Sequence, residues 1–259
     1  MIETIVVIIA AFGASMLTFF SGFGLGTLLT PVFMLFFPIE IAIAMTAFVH
    51  MLNNVFKFGL IGGHVNWKVL LKFGIPAIAG AFGGAYLLLK LSELNDPLVS
   101  YEAVGRTFQV MPVKLVIAIL MILFGIFELI PVLKKLHFGN RMLMAGGLLS
   151  GFFGGLSGHQ GALRTAFLVR LGLTKEAFIA TGIAIALAID LTRIPMYSSK
   201  FFSASFFTEN PIIIIATVSA FAGAFIGRRL LKKITFDLIH NIVGIAIILL
   251  ALVLGLGVI

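Results

Sequence analysis

Ser157-Gly158-His159-Gln160-Gly161-Ala162-Leu163-Arg164-Thr165 sets a histidine, a glutamine and an arginine inside sequence that is otherwise apolar. Gly146, Gly147, Gly151, Gly154 and Gly155 precede it. Glycine lets a helix stop and restart, and lets two backbones approach closely. An arginine at bilayer depth costs at least ~2.5 kcal/mol on insertion scales and is kept only where it faces protein, water or an anion. Arg164 is therefore the first candidate site residue. The stretch around it is expected to form a helical hairpin or a broken helix.

Working outward, the rest of the chain is a membrane sequence. Of 259 residues 61% are hydrophobic and 11% charged, with a mean hydropathy of +1.19. Long apolar runs recur from one end to the other, without the polar faces of soluble helices. Glu3 precedes the first run and no lysine or arginine does, so that run is expected to stay in the mature protein as a membrane segment. The net charge of +8 is attributed to basic loops held in the cytoplasm rather than to nucleic-acid binding. There are no cysteines, which excludes disulfides and thiolate metal sites.

Apolar segments fall at about 4–20, 23–37, 41–60, 69–90, 112–130, 142–156, 161–171, 176–195, 211–228 and 238–258. Only helices and closed barrels satisfy their backbones in lipid, and no alternating strand pattern is present, so the fold is expected to be an all-α integral membrane protein. An internal repeat divides it. An offset of 135 pairs Ser15 with Ser150, Gly26 with Gly161, Thr30 with Thr165 and Thr46 with Thr181. An offset of 139 pairs Ala81-Phe82-Gly83-Gly84-Ala85 with Ala220-Phe221-Ala222-Gly223-Ala224. Two homologous halves are expected, 1–130 and 138–259 within one transmembrane domain, with an external solvated connector at 92–111.

The positive-inside bias distinguishes two topologies. With eight plain crossings, and Arg164 set aside, the loop cations divide eight to nine and give no orientation. With a hairpin opening each half, one side collects Lys57, Lys68, Lys72, Lys134, Lys135, Arg141, Arg170, Lys175, Arg228, Arg229, Lys232 and Lys233, and the other keeps Lys90, Arg106, Lys114, Arg193 and Lys200. The second topology has five segments per half, inverted repeats, and both termini outside, in a cytoplasmic (inner) membrane.

The first-half counterpart of the opening stretch contains Ser21, Gly22, Gly24, Gly26 and Thr27, ending at Pro31. It follows a membrane helix rather than a strand and lacks a phosphate-loop lysine, which argues against nucleotide binding. Its backbone N–H groups at a helix start would favour an anion. Thr46, His50, Asn53 and Lys57 share one face of the third segment, and such a stripe must look at protein or a water-filled cavity. Lys57 either joins that stripe or snorkels to the interface. Thr181 is the second-half match of Thr46. Asp190 and Arg193 are spaced for an intrahelical ion pair. Asp190, His50 and His159 are the candidates for carrying a proton. Gln160 and Arg164 share a face as a donor pair for an oxyanion, flanked by Ser157, Gly161 and Thr165. No HExxH motif or ligand cluster appears, so no metal, cofactor or catalytic residue is expected.

On these residues the chain resembles the TauE/SafE family, also called TSUP, of sulfite and sulfonate exporters. The carriers are the two glycine-rich repeats, Ser21-Gly22-Phe23-Gly24-Leu25-Gly26 through Pro31 and Ser157-Gly158-His159-Gln160-Gly161, with the helices bearing Thr46 and Thr181 and the small-residue segments at 81–85 and 220–224. The second repeat departs from the plain glycine pattern by carrying His159 and Gln160, and Ala166 where the first has Pro31. The resemblance implies a secondary transporter, not an enzyme, for a small anion such as sulfite or an organosulfonate. Proton-coupled alternating access is the expected mechanism. An anion channel and an intramembrane lipid-modifying enzyme are the alternatives. The expected partners are the anion and the lipid bilayer, and the oligomeric state is left open.

Overall fold

A computed structural model of the chain describes residues 2–17, 25–103, 105–130, 138–169, 171–201, 206, 211–230 and 236–258. Among them lie ten α-helices: α1 (Ile2–Leu17), α2 (Leu25–Met34), α3 (Ile39–Ile61), α4 (Trp67–Leu91), α5 (Pro112–Leu129), α6 (Leu143–Ser157), α7 (Gly161–Leu168), α8 (Lys175–Phe201), α9 (Ile212–Leu230) and α10 (Phe236–Gly255). The protein is a helical membrane protein. Ile39–His64, Trp67–Leu91 and Lys175–Ser198 are long and apolar enough to cross a bilayer. By contrast α2, at 10 residues, and α7, at 8, span only about 15 and 12 Å at 1.5 Å per residue, well short of a ~30 Å hydrocarbon core.

The helices bury small residues and turn large ones outward. Along α4 the buried positions include Gly80, Ala81, Gly84 and Ala85, whereas Leu71, Ile75, Ile78, Phe82 and Tyr86 are exposed at three- and four-residue spacing. Lipid is as apolar as leucine, so close packing rather than water exclusion holds such helices together. The closest seam joins α4 to α6. A methyl on Gly84 would come 2.8 Å from the Leu156 nitrogen, and methyls on Gly147, Gly151 and Gly155 would overlap the carbonyl oxygens of Phe73, Ala77 and Ala81. Numbers rise together along this seam, so α4 and α6 run parallel.

An equivalent seam joins α1 to α9, where Gly223 lies on Phe12 and Gly227 on Met16, again parallel. Two further pairings run the opposite way. Gly125 of α5 meets Gly244 of α10, and Ala118 meets Gly255. His50 of α3 meets Asp190 of α8, while Asn66, beyond the end of α3, meets Thr181. Both pairs are antiparallel.

The connector at 92–111 is largely exposed and has local order of its own. It holds an antiparallel β-hairpin, β1 (Val99–Ala103) and β2 (Arg106–Val110), with Tyr101 opposite Phe108. Those two rings stack at 5.4 Å, and the Tyr101 hydroxyl donates to the Leu256 carbonyl at 2.7 Å. Alternating valine and aromatic residues favour a strand here, and the described segments on either side of the hairpin are helical, as expected.

Candidate functional site

The opening stretch is where α6 ends and α7 begins. Gly158 closes α6 in the left-handed conformation, at φ 82°, with its N–H on the Gly154 carbonyl at 3.0 Å. A glycine adopts that φ without a Cβ penalty. His159 and Gln160 follow, and Gly161 starts α7. The Ser150 hydroxyl donates to the Gln160 carbonyl at 2.9 Å and fixes the loop from behind.

Two carbonyls in the last turn of α6 are met from α8. Arg193 donates through Nη1 to Gly154 at 2.7 Å, and the Tyr197 hydroxyl donates to Gly155. A cation at a helix C-terminus is favoured by the macrodipole. Arg193 also holds Asp190, with Nε at 3.0 Å and Nη2 at 2.8 Å from Oδ1. The other carboxylate oxygen lies 2.6 Å from Nδ1 of His50 on α3. Asp190 is 0% exposed, so all its stabilisation comes from these partners.

Gln160 ties this group to Arg164. Its amide nitrogen faces Asp190 Oδ1 at 3.4 Å, and its amide oxygen faces Arg164 Nη1 at 3.5 Å. An ordered chain results, running His50, Asp190, Gln160, Arg164. Arg164, Thr165 and Gly182 then line a small crevice with Leu168 and Phe178.

Three buried polar atoms among the described residues make no hydrogen bond, Oγ1 of Thr46, Nε2 of His159 and Nη2 of Arg193. The last is still in ion-pair contact with Asp190, which leaves Thr46 and His159 with polar atoms free beside this chain. His159 stacks flat on Phe124 at 5.5 Å, with Nδ1 3.0 Å from the Ser157 carbonyl. The start of α2 meets the same loop. A methyl on Gly26 would sit 3.4 Å from the Gly158 carbonyl and 3.8 Å from the His50 ring, and the Thr30 hydroxyl turns back onto the Gly26 carbonyl at 2.7 Å. Thr27 is buried in the same turn. Ser21, Gly22 and Gly24 lie outside the described residues.

Asn53 belongs to a second group on α3. With its amide turned to satisfy its surroundings, the oxygen accepts from Lys57 at 3.1 Å and the nitrogen donates to Ser15 at 3.1 Å. Lys57 is 4% exposed, which excludes snorkelling and puts it in the interior stripe. Thr181 accepts the Asn66 N–H at 2.9 Å, at the start of α4. The hydroxyl of Ser157 donates to Phe153 at 3.1 Å. Arg193 is fully inside, so neither it nor Lys57 is a loop cation. The sidedness count of twelve against five becomes eleven against four.

Sequence reasoning anticipated the Asp190–Arg193 pair but missed that His50 reaches it from another helix, that Tyr197 extends the same α8 face, and that Phe124 backs His159. Asp190, Arg193 and Tyr197 recur at helical spacing, which was the available signal. The buried charged side chains among the described residues are Lys57, Arg164, Arg193 and Asp190. That is an interior with more positive than negative groups.

No curated protein and no solved structure matches the chain. The family described as sulfite exporter TauE/SafE matches residues 7–254. With nearly its whole length covered and its helices built for a bilayer, the chain belongs to the TauE/SafE family of membrane transport proteins.

Proposed function

We propose that this protein is a secondary transporter that moves a small oxyanion, sulfite or an organosulfonate, across the cytoplasmic membrane by alternating access, with proton coupling. The observation that carries the reading is the chain from His50 through Asp190 and Gln160 to Arg164, running beside two buried polar atoms without partners, Thr46 Oγ1 and His159 Nε2. Oxyanions are recognised by such convergent donors in a site closed to water. The cationic excess among the buried charges favours the same ligand class. In this arrangement Arg164 and Gln160 bind the anion and His159 donates once protonated. Gly26, Thr27 and Gly161 offer helix-start amides from the two glycine-rich turns.

The His50–Asp190 contact is the support for proton coupling. A proton added to that pair raises the local charge by one and favours an anion nearby, and by linkage the anion favours the proton. Anion affinity is then expected to rise as pH falls, with proton uptake on binding.

The helix directions support two inverted halves. Offsets of 135 and 139 match α1–α5 to α6–α10. In that pairing α3 and α8 are counterparts, as are α5 and α10, and each pair is antiparallel. Eight plain crossings would make α3 and α8 parallel. Hairpins formed by α1–α2 and α6–α7 would give these directions and put both termini on one side, which the cation count makes the outside; inverted halves of this kind recur in transporters. Single cysteines at Ser100 and Lys233 test it, since the native chain has none. Ser100 is expected to be labelled from outside and Lys233 from inside, and labelling of both from one side rules the topology out.

The direct test of substrate is thermal stabilisation of the purified protein by sulfite, sulfoacetate, taurine, thiosulfate and sulfate. A ligand at 100 times its Kd adds about 2.7 kcal/mol if it binds only the folded state. Stabilisation by one anion in the wild type and its loss in Arg164→Ala supports the site. Equal stabilisation of both proteins removes Arg164 from it. Counterflow of that anion in proteoliposomes, driven by an imposed pH gradient, tests the coupling.

A further inference from the structure

The starts of α4 and α6 frame a second cleft, open to the surface. Its volume is about 190 Å³, and it is lined by Asn66, Lys68, Val69, Lys72, Asn140, Leu143, Leu171 and Leu173. Both lysines are exposed. They stand four residues apart on one face of α4, and Lys72 Nζ reaches Asn140 Oδ1 at 3.5 Å. No acidic residue lines the cleft. Because α4 and α6 run parallel, their N-terminal ends lie together, and the positive poles of two helices add to the two ammonium groups.

The level of the cleft in the membrane is marked by Trp67, 65% exposed beside Lys68. Exposed tryptophan and lysine together are characteristic of the headgroup region. Below it the same two helices present Leu71, Ile75, Met144 and Leu148 outward, each at least half exposed. The polar cleft is thus continuous with an apolar surface suited to acyl chains. It does not lead to Arg164. Leu143 and Leu171 of the cleft and Leu168 and Phe178 of the Arg164 crevice belong to one packed apolar cluster.

We propose that this cleft binds the phosphate of an anionic phospholipid, with Lys68, Lys72 and Asn140 holding the headgroup and the acyl chains lying on the exposed faces of α4 and α6. Lysine binds phosphate as a point charge and tolerates a mobile headgroup, whereas a fixed soluble anion would be better served by arginine forks. The occupant bridges α4 and the turn that leads into α6, at the end where Lys72 and Asn140 meet. Clusters of basic residues at this level are a known basis for recognition of anionic headgroups.

The test uses purified full-length protein in neutral detergent. Its thermal midpoint is measured with short-chain phosphatidylglycerol, with short-chain phosphatidylcholine and with glycerol 3-phosphate, for the wild type, Lys68→Gln/Lys72→Gln and Asn140→Ala. Phosphatidylglycerol is expected to raise the wild-type midpoint by several degrees and the other two additives to leave it unchanged. The double variant should need at least tenfold more phosphatidylglycerol for the same shift, and Asn140→Ala severalfold more. Equal titrations in all three proteins overturn the proposal. A full shift with glycerol 3-phosphate also overturns it, by making the cleft a vestibule for soluble anions. If the double variant is not recovered folded, native mass spectrometry of the wild type and Asn140→Ala decides, with equal retention of phosphatidylglycerol counting against the site.

Discussion

His50 Nδ1 lies 2.6 Å from Asp190 Oδ2, joining α3 to its antiparallel partner α8 through the most buried carboxylate in the described structure. Asp190→Asn keeps the shape of the side chain and removes the charge that holds Arg193 and His50. Breaking a buried pair from one side costs about 3–5 kcal/mol, so the thermal midpoint should fall sharply. His50→Gln should cost less, since Arg193 still faces the carboxylate. Measured as a double-mutant cycle, the two losses should not add; simple additivity argues against coupling between them.

Arg164→Lys keeps a positive charge and loses the planar donors. If the anion is held by one charge-assisted hydrogen bond that a lysine cannot reproduce, binding should weaken about 10- to 100-fold, in line with ~1.5–3 kcal/mol for such a bond. Titration of the substrate into both proteins measures this. An unchanged Kd means that charge alone matters at this position.

Gly151→Ala puts a methyl onto the Ala77 carbonyl across the α4–α6 seam. The seam must open, at a cost of at least about 1–3 kcal/mol. Gly59→Ala on α3 is the control, because nothing lies within 4 Å of a methyl there and alanine is the better helix former by about 1 kcal/mol. The first variant should be destabilised and the second neutral or slightly stabilised when their thermal midpoints are compared.

Tyr101→Phe removes one hydrogen bond between the β-hairpin and Leu256 and keeps the stack on Phe108. A loss of about 0.5–1.5 kcal/mol is expected, with transport rates unaltered. A large loss of flux would give the hairpin a part in the transport cycle.

Much of this architecture was legible in the sequence for physical reasons. Helix is the backbone's recourse in lipid, so apolar length alone located the long segments, and Gly158 marked the break because a left-handed residue was needed between α6 and α7. Arg164 and Gln160 could be paired from their spacing on one turn. The contact of His50 with Asp190 was not legible. It joins residues 140 positions apart, and periodicity along one helix carries no information about which other helix faces it. Lys57 illustrates the same limit. Its position near the end of an apolar run fits both an interfacial and an interior lysine, and only the packing of α1 and α9 against α3 decides. The hairpin at 99–110 was hidden for another reason, because its charged and proline-rich neighbours masked a short alternating pattern.

The α1–α9 seam carries a consequence for how the protein is made. Phe12 and Gly223, which touch there, are separated by 211 positions. At roughly 5–20 residues per second of synthesis, α1 leaves the ribosome some 10–40 s before its partner. Throughout that interval the stretch of α1 that α9 later covers, around Phe12 and Met16, has lipid or the insertion machinery beside it instead. A chain whose first helix waits for its ninth is poorly served by truncation. Fragments lacking α9 are expected to be degraded unless the missing piece is supplied in trans, and a split between α5 and α6 should be rescued by co-expression of the two parts.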